Sequence, residues 1–209
     1  MSDTEPQHEN SRESFEDKLR TALALDLPYS ERLLHPEGRA AAVLILFGWN
    51  RSSPQSGPSI LLTRRTELVE THKGQIAFPG GVVDPEDADS VAAALRETEE
   101  EVGISPASVR VLGELPKLWT VTGFWITPIV GILHPSIGDT TIRISPAEIA
   151  EVFWAPLVQL QASDTYREEQ FVIGRSSYPI HVYQLQGHRV WGATGAMLKN
   201  LLDRIERLR

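Results

Sequence analysis

Glu97, Glu100 and Glu101 fall at i, i+3 and i+4, a spacing that puts three carboxylates on one face of any helix that contains them. Like charges so placed repel, and a helix needing only solubility would pair them with Lys or Arg. A stripe of three acids makes chemical sense when a hard divalent cation, Mg²⁺ or Mn²⁺, neutralises it. The plain alternative is a solvated acidic face. Arg96 precedes the stripe, and its planar fork suits the task of orienting a glutamate. Upstream, Phe78-Pro79-Gly80-Gly81 is a turn whose glycines let backbone approach a side chain or ion closely.

A helix must carry the stripe, and the local sequence specifies one. Asp89 or Ser90 can cap its N-terminus. Val91, Leu95, Thr98 and Val102 recur at i, i+4, i+7 and i+11 as its buried face, while Ala92, Ala93 and Ala94 add helix propensity. Gly103 stands where a left-handed C-terminal residue belongs. The carboxylates project about 140° from the centre of the apolar stripe, so the core face and the acidic face are expected to be separate.

Gly81 followed by Arg96-Glu97-Thr98-Glu99-Glu100-Glu101-Val102-Gly103-Ile104 resembles the Nudix box, G-x5-E-x7-R-E-U-x-E-E-x-G-U with U apolar. Gly81 to Arg96 is one residue longer than the pattern, Ala88 stands eight residues before Arg96 where the pattern has Glu, and Thr98 fills an apolar slot. Asp84, Glu86, Asp87 and Asp89 crowd the lengthened turn, and none of them is singled out as the missing acid. A second stretch resembles the coenzyme A pyrophosphatase motif L-L-T-x-R-S-x3-R-x3-G-x3-F-P-G-G. It comprises Leu61-Leu62-Thr63-Arg64-Arg65-Thr66, then His72, Gly74-Gln75 and Phe78-Pro79-Gly80-Gly81. Thr66 keeps the hydroxyl of the motif's Ser, whereas Glu70 reverses the charge of its second Arg. Thr120-Val121-Thr122-Gly123-Phe124, Pro128 and Trp191-Gly192-Ala193-Thr194 also look like this subfamily, so the resemblance covers residues 40–200.

The resemblance implies a metal-dependent hydrolase on a Nudix-type α/β/α sandwich with a mixed β-sheet. It implies cleavage of coenzyme A or a derivative into 3′,5′-ADP and (acyl-)4′-phosphopantetheine. Arg96, Glu97, Glu100 and Glu101 are the expected catalytic set, with Glu97, Glu100 and Glu101 as metal ligands. Glu100 is either a ligand or the base that takes the water proton. Arg65, His72, Gln75 and Phe78 are the expected substrate contacts, and Arg64 and Lys73 are expected to gather beside them. Glu148 and Glu151 are secondary candidates because a distal glutamate assists the metals in many relatives; Ser145-Pro146-Ala147-Glu148 also has the form of a capping box. Trp119, Phe124 and Trp125 either stack on adenine or pack the core, and Trp191 is assigned to the core. Glu70 keeps open a related substrate such as ADP-ribose or NADH. A catalytically silent nucleotide-binding module on the same fold is the alternative from another class.

The chain's 209 residues suffice for one domain with a substantial core. A net charge of −8 argues against general nucleic-acid binding, and the lack of cysteine excludes disulfides and thiolate zinc sites. No apolar run approaches the roughly 18 residues of a membrane span. Residues 1–12 resemble neither a secretory signal nor an Arg-rich transit peptide, and Arg207-Leu208-Arg209 is not a peroxisomal signal, so a cytoplasmic protein is expected. Residues 1–12 read as a disordered tail and 13–209 as the domain. Phe15, Leu19, Ala22 and Leu23 form a short amphipathic helix capped by Ser14, followed by a connector from Pro28 to Gly38. Ala40–Phe47 reads as a central strand, Trp49–Pro58 as a turn and Ile60–Arg64 as the pairing strand. Gln75–Phe78, Val109–Leu115, Thr127–Leu133, Val152–Trp154 and His181–Gln184 are further strands. Pro135–Thr140 reads as a loop and Ala193–Arg207 as a closing helix. Strands flanked by helices indicate an α/β sandwich.

Overall fold

Strand β1 (Arg39–Trp49) alternates between two cores. Leu44 and Leu46 face one apolar cluster, Ile45 and Phe47 face another, and all four are fully buried. A strand covered on both sides must be apolar at every position, which is why the run looked continuous in the sequence. The computed structural model describes residues 5–26, 38–50, 57–68, 73–134, 136–174 and 176–208. The Pro28–Gly38 connector apart from Gly38, residues 51–56 of the Ser/Pro/Gly turn, Glu70 and His72 lie outside the described residues.

β1 runs parallel to β7 (Phe124–Leu133) and antiparallel to β2 (Pro58–Arg65) and β4 (Gly80–Val82). β2 also pairs antiparallel with β3 (Ile76–Ala77) and β8 (Ile149–Pro156), and β7 with β5 (Val109–Glu114) and β6 (Leu118–Trp119). The result is an eight-stranded mixed sheet. A separate antiparallel sheet is built from β9 (Tyr166–Ile173), β10 (Ser176–Leu185) and β11 (His188–Val190). Helix α2 (Ser90–Val102) covers one face of the large sheet through Ala93, Ala94 and Val102. Helices α1 (Glu5–Leu23) and α4 (Gly192–Glu206) pack in the cluster on the other face, with the one-turn helix α3 (Leu157–Leu160). This is the α/β sandwich with a mixed sheet that the sequence implies. No helix among the described residues is long and apolar enough to cross a membrane.

Several boundaries differ from expectation for identifiable reasons. α1 begins at Glu5, inside the stretch read as a tail, and Ser14 lies within it rather than capping it. Its Glu-, Gln- and Arg-rich start propagates a helix as readily as a coil, and Arg12 donates to the carbonyls of Leu133 and His134 at the end of β7. The C-terminal end of α1 is held by buried Arg204 of α4, which donates to the carbonyls of Ala22 and Leu25. Ser145–Glu148 caps no helix: Glu148 N–H bonds Ser145 O at 3.0 Å, and this turn feeds β8. Glu148 cannot close a capping box here because β8 takes the next residue, Ile149, into its pairing with β2.

Candidate active site

Helix α2 begins where the sequence indicated. Asp89 caps it, its carboxylate accepting from Ala92 N–H at 2.8 Å, and Gly103 ends it at φ 75°, its N–H bonded to Glu99 O. The separation of core and acidic faces does not hold. Glu101 is only 2% exposed, lying beside the fully buried Thr98 and Val102, and Ala93 and Ala94 are fully buried too, while Val91 and Leu95 are half-buried. With small alanines at its centre, α2 approaches the sheet closely and carries Glu101 down with it.

The glycine turn meets Glu101 there. Gly80 N–H donates to Glu101 Oε2 at 3.2 Å, while Pro79 O accepts from Leu44 N–H and fixes the turn against β1. A Cβ on Gly80 would lie 2.3 Å from Ala42 O and 2.6 Å from Val43 Cα, and its φ of 148° further restricts it to glycine. At Gly81 a Cβ would instead lie 2.5 Å from Glu97 Cδ, so the missing side chain makes room for that carboxylate. Arg65 Nη1 stands 3.5 Å from Glu101 Oε1. Burial pushes the Glu101 carboxyl up to about 8; the Gly80 N–H and Arg65 oppose the rise, and the charges of Glu97 and Glu148 add to it. Burial also raises Glu97, with Arg96 opposing and Glu100 and Glu148 reinforcing.

Arg96 organises the outer part of the site. It grips Asp87 through two parallel bonds of 3.0 Å, and reaches Glu97 at 2.9 Å, Glu100 at 3.1 Å and Val82 O at 3.2 Å. The Asp87 pair, seconded by the burial-opposing contact with Glu97, holds the guanidinium firmly charged, and the same bond with the Asp84 N–H keeps Asp87 below the usual carboxylate range. Among the four acids in the lengthened turn, Asp87 is therefore the partner of Arg96, Asp89 is the cap, and Asp84 is a looser contact at 3.4 Å. Sequence spacing alone did not separate them.

The remaining expectations divide. Glu97 and Glu101 come together at the turn, whereas Glu100 is largely exposed and meets the site through Arg96. Phe78 does not line the site: its ring is 2% exposed in the cluster shared with α1 and α4. Gln75 accepts from Arg65 N–H through its carbonyl at 3.0 Å, and its half-buried side chain lies at the site margin. Arg64 is turned from its neighbour by strand alternation and pairs with Glu151 at 2.9 Å, while Lys73 is exposed. His188 stacks on Phe153 and reaches Glu151 at 3.3 Å, so Glu151 is spent on structure. Glu148, itself exposed, is the distal acid whose charge acts on Glu97 and Glu101. A bulge brings it there, the pairing of β2 with β8 shifting register between Arg64 and Arg65. Thr66 secures the turn, its N–H bonded to Glu148 O at 2.9 Å and its hydroxyl to Ala147 O at 3.0 Å. Trp119 and Trp125 pack on each other at 5.2 Å and against Gly38. Trp191 is half-buried at the start of α4, between Phe171 and Arg189, rather than in the core.

Among the described residues, no three Asp, Glu or His side chains are gathered tightly enough to hold an ion as they stand. Arg96 holds Glu97 and Glu100 in ion pairs, and Arg65 stands against Glu101. The donor set nevertheless fits a hard cation: oxygen ligands only, of which buried Glu101 and half-buried Glu97 have surroundings that resist their ionisation. Neutralising charge is what the site lacks.

Residues 38–173 match the NUDIX domain family model. The chain is 37% identical over 182 residues to an "Uncharacterized Nudix hydrolase NudL" of Photorhabdus laumondii, spanning 87% of this chain and 93% of that protein. It is 41% identical over 163 residues to the protein of the same name in Escherichia coli, spanning 78% and 81%. The NUDIX domain of Shewanella oneidensis NrtR, solved with ADP ribose, shares the fold at TM-score 0.51 and 16% identity, over 87% of this chain and 94% of that chain.

Proposed function

The chain belongs to the Nudix hydrolase family, and from that premise we propose that it cleaves the diphosphate of coenzyme A or a derivative, giving 3′,5′-ADP and (acyl-)4′-phosphopantetheine. The observation that carries the hydrolase reading is the meeting of Glu97, Glu101 and Arg65 at the Gly80-Gly81 turn. The coenzyme A assignment is supported by Leu61 to Gly81, which follows the subfamily motif except at Thr66 and Glu70.

Glu97 and Glu101 would hold Mg²⁺ or Mn²⁺, with Glu100 able to join as a third ligand. Bound there, the cation supplies charge neutralisation on the diphosphate and makes a water acidic enough to attack. Arg96 keeps Glu97 pointed at the turn while itself anchored by Asp87. Gly80 N–H fixes Oε2 of Glu101, and Oε1, which faces Arg65, is the oxygen that would coordinate. Arg65 offers the substrate phosphates a cation, and Glu148 or Glu100 takes the proton lost by water.

A panel of coenzyme A, ADP-ribose, NADH and nucleoside triphosphates, each incubated with the purified protein and Mg²⁺, tests the reading. Coenzyme A is expected to be the preferred substrate. Turnover of ADP-ribose or NADH with coenzyme A left intact would favour the second reading, which the reversed charge at Glu70 keeps in play. Binding without turnover would make the protein a silent module.

A further inference from the structure

Arg65 lies in a half-made arrangement. Its backbone is fixed on both sides, by the N–H bond to Gln75 O at 3.0 Å and by the pairing of β2 with Ile149 of β8. Only the guanidinium can move. That group faces Glu101 at 3.5 Å, longer than the roughly 2.7–2.9 Å of a formed charge-assisted hydrogen bond. Its Nε is buried and has no hydrogen-bond partner. A buried donor left unsatisfied is costly, so this position is one the side chain leaves readily when a better acceptor arrives. Arg64 next to it is committed to Glu151 at 2.9 Å and cannot substitute.

We infer that Arg65 is a displaceable counter-ion: it occupies Glu101 until a divalent cation takes that carboxylate, and then turns its fork onto the substrate diphosphate. This rests on the hydrolase reading above and adds an order of binding to it. A cation and Arg65 cannot both sit against Glu101 Oε1, because their charges repel at that range. The arriving phosphate oxygens supply the acceptors that Nε and the Nη groups lack, and they do so only after the metal has freed the group. The metal thus recruits the diphosphate through Arg65 as well as by direct attraction.

Mg²⁺ titration by calorimetry at pH 9, where Glu101 is ionised, tests this on the full chain without turnover. R65Q should bind Mg²⁺ alone about fivefold more tightly than the native protein, the scale of an ion pair worth about 1 kcal/mol. At saturating Mg²⁺ its affinity for α,β-methylene-ADP should fall at least tenfold. R65K, which keeps the charge but not the fork, should retain native Mg²⁺ affinity and still lose nucleotide affinity. Unchanged or weaker Mg²⁺ binding by R65Q, with the native protein binding normally, overturns the inference alone. Failure of the native protein to bind Mg²⁺ at all overturns the hydrolase reading and this inference with it.

Discussion

Replacing Glu101 by Gln should stabilise the metal-free protein, and should do so only at neutral and alkaline pH. Glu101 is 2% exposed, and burial raises its carboxyl to about 8 from an ordinary 4.5. A carboxyl raised on folding favours the protonated native state. Its contribution is fully present below the unfolded value, is lost as pH climbs from about 4.5 to about 8, and changes no further above that. At 1.36 kcal/mol per unit, the part of that interval lying between pH 5 and pH 8 is worth about 3 kcal/mol. Gln keeps an oxygen for Gly80 N–H but cannot ionise, so it escapes the penalty. The assay is urea unfolding in EDTA of the native protein and E101Q across that range. Groups distant from Glu101 titrate equally in both proteins and cancel in the difference. The stability difference should shift toward the variant by about 3 kcal/mol between pH 5 and pH 8, roughly 1.5 M in urea midpoint. A difference that stays flat with pH would show that Glu101 is not held in an environment hostile to its charge, and the electrostatic argument for the site would fail. Adding Mg²⁺ at pH 8 should stabilise the native protein and leave E101Q unmoved.

The two glycines of the turn should separate fold from function. G80A places a Cβ against Ala42 O and Val43 Cα at a φ of 148°, so it should destabilise the protein by several kcal/mol in thermal or urea unfolding. G81A meets only the mobile end of Glu97, so it should stay folded while the hydrolysis rate falls by about 10²-fold or more, read from steady-state kinetics. D87N removes the charge that anchors Arg96 and should lower kcat about 10–100-fold with little change in KM. D89A removes the cap and should cost about 1 kcal/mol of unfolding free energy, with kcat reduced far less than in D87N.

The parts of this arrangement that depend on neighbouring residues were legible in the sequence. Asp89, the stripe through Val102 and Gly103 specify α2 by local rules, and the uninterrupted apolar run from Ala40 to Phe47 reads as a central strand. What depends on tertiary register was not. The four acids from Asp84 to Asp89 are equivalent until the turn is folded, and only the position of Val82 and Arg96 selects Asp87. Glu148 could not be told from Glu151, because the register shift between β2 and β8 that sets one near Glu97 and Glu101 and leaves the other on Arg64 has no local signal. Phe78 sits in the motif with the two glycines, yet the turn that presents Gly80 to Glu101 sends the ring into the core. Of the small sheet, His181–Gln184 of β10 was legible, but β9 escaped: Arg167, Glu168, Glu169 and Gln170 give it a polar, largely solvent-facing stretch with little of the apolar alternation that marks a strand.

Burial of Glu101 links these observations. An acid on the solvent face of α2 would ionise freely, bind a cation weakly in competition with water, and need no arginine beside it. Setting it under the turn makes its charge costly, and that cost is what a cation relieves on arrival. The same burial explains the alanines, since a larger residue at Ala93 or Ala94 would lift α2 from β1 and return Glu101 to solvent. Gly80 lies so tightly on β1 that it has no room for a side chain, and from there its N–H reaches the buried carboxylate. The helix is therefore packed for chemistry at the expense of metal-free stability, and E101Q measures that expense directly. If the variant gained nothing at pH 8, the alanines would need a different reason for their size.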